Sequence, residues 1–170
     1  MGDRFYNYGM DEAIIQAKYS TCLSTHYGTA ILDPNTGHVI ATGRNGVPKG
    51  KEHCTDRGWC VKRELGYDHF QQDMKEWAGI SYCVCSHAEK NAIAQAGIRA
   101  NNCIMFLYGE RNGEPITCQP CFDCTKLIIN AGITSVIIRP ATKFIEIDPL
   151  SLYDYYENVL LNKISEYNGD

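Results

Sequence analysis

The chain has 170 residues, enough for one domain with a sizeable core and too few for several. Hydrophobic residues make up 44%, yet no run approaches the ~18 apolar residues of a membrane helix, which argues against a membrane partner. The formal net charge of -4 argues against a polynucleotide partner, but a small anion needs only one local cationic pocket.

In chain order, residues 4–19 read as a helix, with Met10, Ala13, Ile14 and Ala17 at helical spacing. Tyr27 to Leu32 and His38 to Thr42 read as an antiparallel hairpin around Asp33-Pro34-Asn35-Thr36-Gly37. Residues 43–82 carry no sustained pattern apart from a short helix expected around Arg63 to Trp77. A loop of that length in a small domain marks function. A helix over 87–96 follows, stopped by Gly97, then a strand over Cys103 to Tyr108 and a loop over Gly109 to Pro115. Cys121 to Ala131 reads as a helix stopped by Gly132, and Thr134 to Ile138 as a buried strand. Residues 151–166 form a last helix, with Ser151 and Asp154 as a capping-box-like start. This order predicts an α/β fold, a three-layer α/β/α arrangement around one mixed sheet.

Two segments carry chemistry: Ser86-His87-Ala88-Glu89 and Pro120-Cys121-Phe122-Asp123-Cys124. One imidazole and two thiolates suit zinc and leave a fourth tetrahedral position open, the pattern of catalytic sites. Cys121 and Cys124 are three apart and share a face in the first turn of a helix, where free amides favour the thiolate. Glu89 is too near His87 in sequence to be a comfortable ligand and is placed to act as a proton shuttle at the open position. The competing reading is a structural zinc knuckle closed by Cys118 or Cys85, with no turnover. Nine cysteines, an odd number, and no apolar leader over Met1 to Phe5 point to reduced thiols and metal in the cytoplasm.

H-x-E with P-C-x-x-C is the signature of zinc nucleobase deaminases. With Asn45-Gly46-Val47-Pro48 upstream and His-Ala-Glu-x-Asn-Ala-Ile at 87–93, the chain resembles the deoxycytidylate (dCMP) deaminases from roughly Cys22 to Ile138, within one deaminase-type domain over 1–170. The resemblance implies a cytidine-deaminase-like fold with a fifth strand near Lys143–Ile147. It implies hydrolysis of dCMP to dUMP and ammonia for thymidylate synthesis, with zinc on His87, Cys121 and Cys124 and Glu89 as general acid and base. Cytidine, or an adenosine in tRNA, is the alternative substrate.

Several further roles follow from the resemblance alone. Asn45 and Ala88 contact the nucleotide, and His26 stands where relatives often place a basic residue near the phosphate, with Arg44, Arg139 and Lys143 as other phosphate or effector positions. Some viral and bacterial members hold a second, structural zinc; Cys22, Cys54 and Cys85 match its positions here, with Cys60, Cys83 or His53 to complete four. The family also implies a homo-oligomer such as a hexamer, and allosteric control by dCTP and dTTP. Arg44 replaces the tyrosine of the effector-binding Gly-Tyr-Asn-Gly segment.

Overall fold

The computed structural model describes residues 2–66, 83–140 and 143–168. Helix α1 spans Asp3–Lys18. Strands β1 (His26–Leu32) and β2 (Val39–Arg44) pair antiparallel, and β1 also pairs antiparallel with β3 (Ile104–Arg111). Strand β5 (Ser135–Ile138) lies parallel to β3, and β6 (Ile145–Ile147) antiparallel to β5. The mixed sheet therefore runs β2-β1-β3-β5-β6, with the two-residue strand β4 (Glu114–Pro115) on the end of β3.

Alternation along the strands divides the core between two faces. Ala30, Leu32, Phe106 and Ile137 meet Met10, Ala13 and Ala17 of α1 on one side. Ile31, Met105, Leu107 and Val136 meet Ala92 and Ala96 of helix α4 (Ala88–Ala96) and Ile128 of helix α5 (Phe122–Asn130) on the other. The three layers expected from the order of elements are present. Two glycines set the helix-to-sheet distance: a Cβ on Gly28 would collide with the backbone of Ala13 and Ala17, and one on Gly43 with that of Ala88 and Ala92. Only glycine permits so close an approach.

Several boundaries differ from the sequence expectation, each for a physical reason. Strand β2 continues to Arg44 because Arg44 pairs with Gly28 across β1, so Gly43 and Arg44 belong to the sheet. The expected loop over Gly109 to Pro115 is a tight hairpin: β3 runs to Arg111, and Asn112 and Gly113 both take positive φ (52° and 80°) before Glu114 pairs back to Arg111. That is the two-residue Asn-Gly turn that matches strand twist. The long irregular stretch contains two single-turn helices, α2 (Cys54–Arg57) and α3 (Val61–Glu64). Arg63 therefore ends a helix, with Gly66 at φ 78°, and does not begin one; the remainder of the helix expected to Trp77 lies outside the described residues. The final helix α6 spans Pro149–Asn168. Its cap is Asp148, whose carboxylate accepts from the amides of Leu150 and Ser151 and from the Ser151 hydroxyl, so Asp154 is not part of the cap.

Candidate metal centre and its cavity

His87 and Cys121 are not the first residues of their helices. Each sits at the N-cap position in extended conformation, immediately before α4 and α5. The helix starts converge, and Lys90 of α4 is ion-paired with Asp123 of α5. Nδ1 of His87 is 3.5 Å from Sγ of Cys121 and 3.4 Å from Sγ of Cys124. Bond lengths of about 2.3 Å for zinc–sulfur and 2.0–2.1 Å for zinc–nitrogen place tetrahedral N and S neighbours roughly 3.6 Å apart. The donor set fits that spacing. Among the described residues it is the one group of three or more such donors whose ligand atoms all lie within 4.8 Å of one another.

The electrostatics agree with the geometry. A hydrogen bond from Cys124, with burial opposing and His87 assisting, brings the Cys121 thiol down to about 4. The bond to Cys121 in turn raises His87 to about 9, although burial acts against it. Cys124 is pushed up, first by that same contact with Cys121 and then by burial. The contact lowers the Cys121 thiol and raises the imidazole, and a divalent cation would take the place of the protons the trio shares. Glu89 is buried, 5% exposed, and burial pushes its carboxyl upward.

No fourth donor closes the group among the described residues. The Cys118 thiol points at the carbonyl oxygen of Leu107, 3.9 Å away, and burial pushes it up to about 12. Cys85 is engaged with Cys22, Cys83 and Cys54. The trio leaves its open side to a cavity of about 170 Å³ whose lining includes His87, Glu89, Cys121, Tyr27 and Asn45.

Asn45 is 7% exposed and largely committed to the fold. Its Oδ1 accepts from the Tyr27 amide (2.8 Å) and the Ser20 hydroxyl (2.6 Å), and its Nδ2 donates to the Thr25 carbonyl (2.8 Å). One Nδ2 hydrogen remains for a ligand. Ala88 is fully buried beneath Gly43 and is not part of the cavity wall. The four cations singled out for phosphate also lie outside the wall. His26 faces Glu110 at 3.4 Å; Arg139 lies over the ring of Phe144 at 5.7 Å; Arg44 and Lys143 are exposed. Sequence reasoning missed Lys62 and Arg111, which do line the cavity, because neither lies in a recognisable motif. Their signal is burial and position, which only the fold reveals.

The second cysteine group is brought together with a change of membership. Cys85 contacts Cys22, Cys83 and Cys54, the last at 3.5 Å between sulfurs, and Cys22, Cys54 and Cys85 form a small buried cluster with Cys83 packed against it. Cys60 is buried and lies outside that cluster, though close enough to raise the Cys54 thiol. The second-metal sulfurs do not close to within 4.8 Å as the trio does. Tyr156, read from the sequence only as packing or subunit contact, donates to the Pro120 carbonyl at 2.8 Å, and its ring and that of Tyr153 pack on Phe122. Helix α6 thereby braces the segment that presents Cys121.

Residues 4–139 match the family model for the cytidine and deoxycytidylate deaminase zinc-binding region. The deoxycytidylate deaminase of Schizosaccharomyces pombe is 32% identical over 133 residues, covering 77% of this chain and 35% of that one. That of Mycobacterium phage D29 is 29% identical over 130 residues, covering 76% and 90%. The chain thus spans about a third of the length of the fission-yeast relative. The dCMP deaminase of cyanophage S-TIM5, crystallised with dCMP and dUMP, superposes with a TM-score of 0.57 at 23% identity, over 82% of this chain and 83% of that one, and so shares the fold. A model match over most of the chain, with a His/Cys/Cys group that could hold zinc gathered at two helix starts, shows that this chain belongs to the cytidine and deoxycytidylate deaminase family.

Proposed function

We propose that the chain, as a single domain over 1–170, deaminates dCMP to dUMP and ammonia. The observation that carries this reading is a buried carboxyl, Glu89, in one cavity with a three-donor group that lacks a fourth protein ligand among the described residues. His87, Cys121 and Cys124 would hold zinc, whose Lewis acidity lowers the pKa of water towards about 7 and makes it a nucleophile. Asn45 and the wall of Tyr27 and Leu107 orient the cytosine. Glu89 accepts the water proton and passes it to ring N3 as oxygen bonds to C4. Glu89 then carries the second proton to the exocyclic nitrogen; the C4–N bond breaks and ammonia departs. Burial, which raises the Glu89 pKa, suits a group that both takes and returns a proton.

The relatives named deoxycytidylate deaminases support dCMP over cytidine. Ammonia release from dCMP, cytidine and deoxycytidine tests it: preference for dCMP is expected, and turnover of cytidine with none of dCMP overturns it.

We further infer a second, structural zinc on Cys22, Cys54, Cys83 and Cys85, supported by the contact of Cys85 with the other three sulfurs. Its formation requires those sulfurs to draw together. Two zinc ions per chain, falling to one in Cys54→Ser, is the expected count; one ion in the unaltered chain returns all four to ordinary thiols. Exposed apolar side chains on α6, Leu150, Tyr155 and Leu161, support a homo-oligomer such as a hexamer, which sedimentation would measure. Thiol-rich metal chemistry supports a cytoplasmic setting. Among the described residues no helix is long and apolar enough to cross a membrane. Control by dCTP and dTTP extends this reading and is read from the dCMP saturation curve with each triphosphate.

A further inference from the structure

Lys62 is 5% exposed and lines the same cavity as Glu89 and Asn45. It has no hydrogen-bond or ion-pair partner among the described residues. A buried ammonium without a counter-ion is costly, and such groups persist where something supplies the missing charge. The Lys62 ammonium is also not sealed in the interior: the only fully enclosed side-chain polar atom lacking a partner, among the described residues, is Oγ1 of Thr29. Lys62 therefore retains an opening, and it is one of the residues that line the cavity.

Its surroundings are cationic and polar. Arg63, the next residue, donates to the Ser24 hydroxyl at 3.1 Å, which docks α3 on the segment leading into β1. Arg111, at the end of β3, donates to the neighbouring Thr25 hydroxyl from Nε (3.2 Å) and Nη2 (2.8 Å). Thr25, Lys62 and Arg111 all line the cavity, so its lining carries two basic side chains and a hydroxyl. Glu89 lines the same cavity beside His87 and Cys121 of the metal trio. In a chain of net charge -4, this local concentration of positive charge is selective for an anion.

We propose that Lys62 binds the 5′-phosphate of the nucleotide and sets the preference for nucleotide over nucleoside, with Arg111 and Thr25 beside it. The inference rests on the deaminase reading and names the residue responsible for its substrate class. The phosphate neutralises the ammonium, and the cytosine at the other end of the nucleotide then reaches Glu89 and the trio. His26, held by Glu110, takes no part in it.

The test is steady-state deamination of dCMP and of deoxycytidine by the unaltered chain, Lys62→Met and Lys62→Arg, each checked for zinc content and melting transition. For Lys62→Met, kcat/KM for dCMP should fall about 10- to 100-fold, mainly through KM, the size expected for a lost charge-assisted hydrogen bond. Turnover of deoxycytidine should stay within about twofold, and Lys62→Arg should recover part of the loss. An unchanged ratio of the two substrates in Lys62→Met overturns the assignment. A second measurement needs no variant: inorganic phosphate should raise KM for dCMP in the unaltered chain and leave KM for deoxycytidine unchanged, and equal effects on both overturn it. Failure of the unaltered chain to deaminate either compound sinks the deaminase reading itself, whereas deamination without preference for dCMP leaves the deaminase chemistry standing and sinks the role of Lys62 together with the nucleotide preference.

Discussion

Lys90 and Asp123 form an ion pair between the first turns of two different helices, the same two turns that present His87 and Cys121. Lys126 adds a second cation to that carboxylate at 3.4 Å. The Asp123 carboxylate is more than half exposed. Exposed pairs contribute little, so Asp123→Asn should cost no more than about 1 kcal/mol. The hydrogen bond from Lys90 holds the Asp123 carboxyl below its usual value of 3.8. A depressed acid stabilises the fold above its unfolded pKa, and that contribution is lost as pH falls through the folded value. The melting difference between the unaltered chain and Asp123→Asn should therefore be present at pH 7 and close in acid. A difference that grows on acidification would contradict this sign.

Glu89→Gln keeps the shape of the side chain and removes its ability to accept a proton. Because Glu89 is fully within the fold and not among the donor group, zinc content and melting temperature should stay near those of the unaltered chain. The deamination rate should fall by about 10²–10⁴, the range of general acid–base contributions. Retained activity would remove Glu89 from the reaction.

Removing a donor acts differently. Loss of the imidazole or of either thiolate in His87→Ala or Cys124→Ala leaves two protein ligands where zinc requires at least three for a stable catalytic site. Bound zinc at this position should be lost, and activity with it. Chelation of the unaltered chain should abolish activity reversibly, with recovery on adding zinc. Activity that survives a verified loss of metal would refute the mechanism.

Gly43→Ala tests the packing that positions the imidazole. The added methyl meets the backbone of Ala88 and Ala92, which cannot swing aside as a side chain would. Helix α4 must move off the sheet, at about 1–3 kcal/mol for overpacking. Both Tm and zinc affinity should drop together, because His87 caps that helix. A neutral substitution in both measurements would show that α4 rides farther from β2 than the contact implies.

How much of this was legible beforehand follows from the range of each interaction. His87, Glu89, Cys121 and Cys124 are close in sequence within two segments, each opening a helix. Spacing and helix-start physics therefore singled out all four as candidates, and the structure brings the three candidate donors within 4.8 Å of one another. The order of strands and helices was enough for the three-layer fold. The Asn112-Gly113 turn was also present in the letters, but its two residues were absorbed into a longer loop.

What only the tertiary structure decided is which distant groups meet. Lys62 lies in a four-residue helix, too short for any periodicity to announce, while His26, Arg44, Arg139 and Lys143 looked equally suited to an anion. Burial and a place in the cavity lining separate Lys62 from them, and burial is a property of packing between segments tens of residues apart. The sequence by itself determined the chemistry at the metal, because those donors are set by local spacing. The cation facing the cavity and the sulfur partners of Cys85 were decided by the fold, because long-range packing has no signature in neighbouring residues.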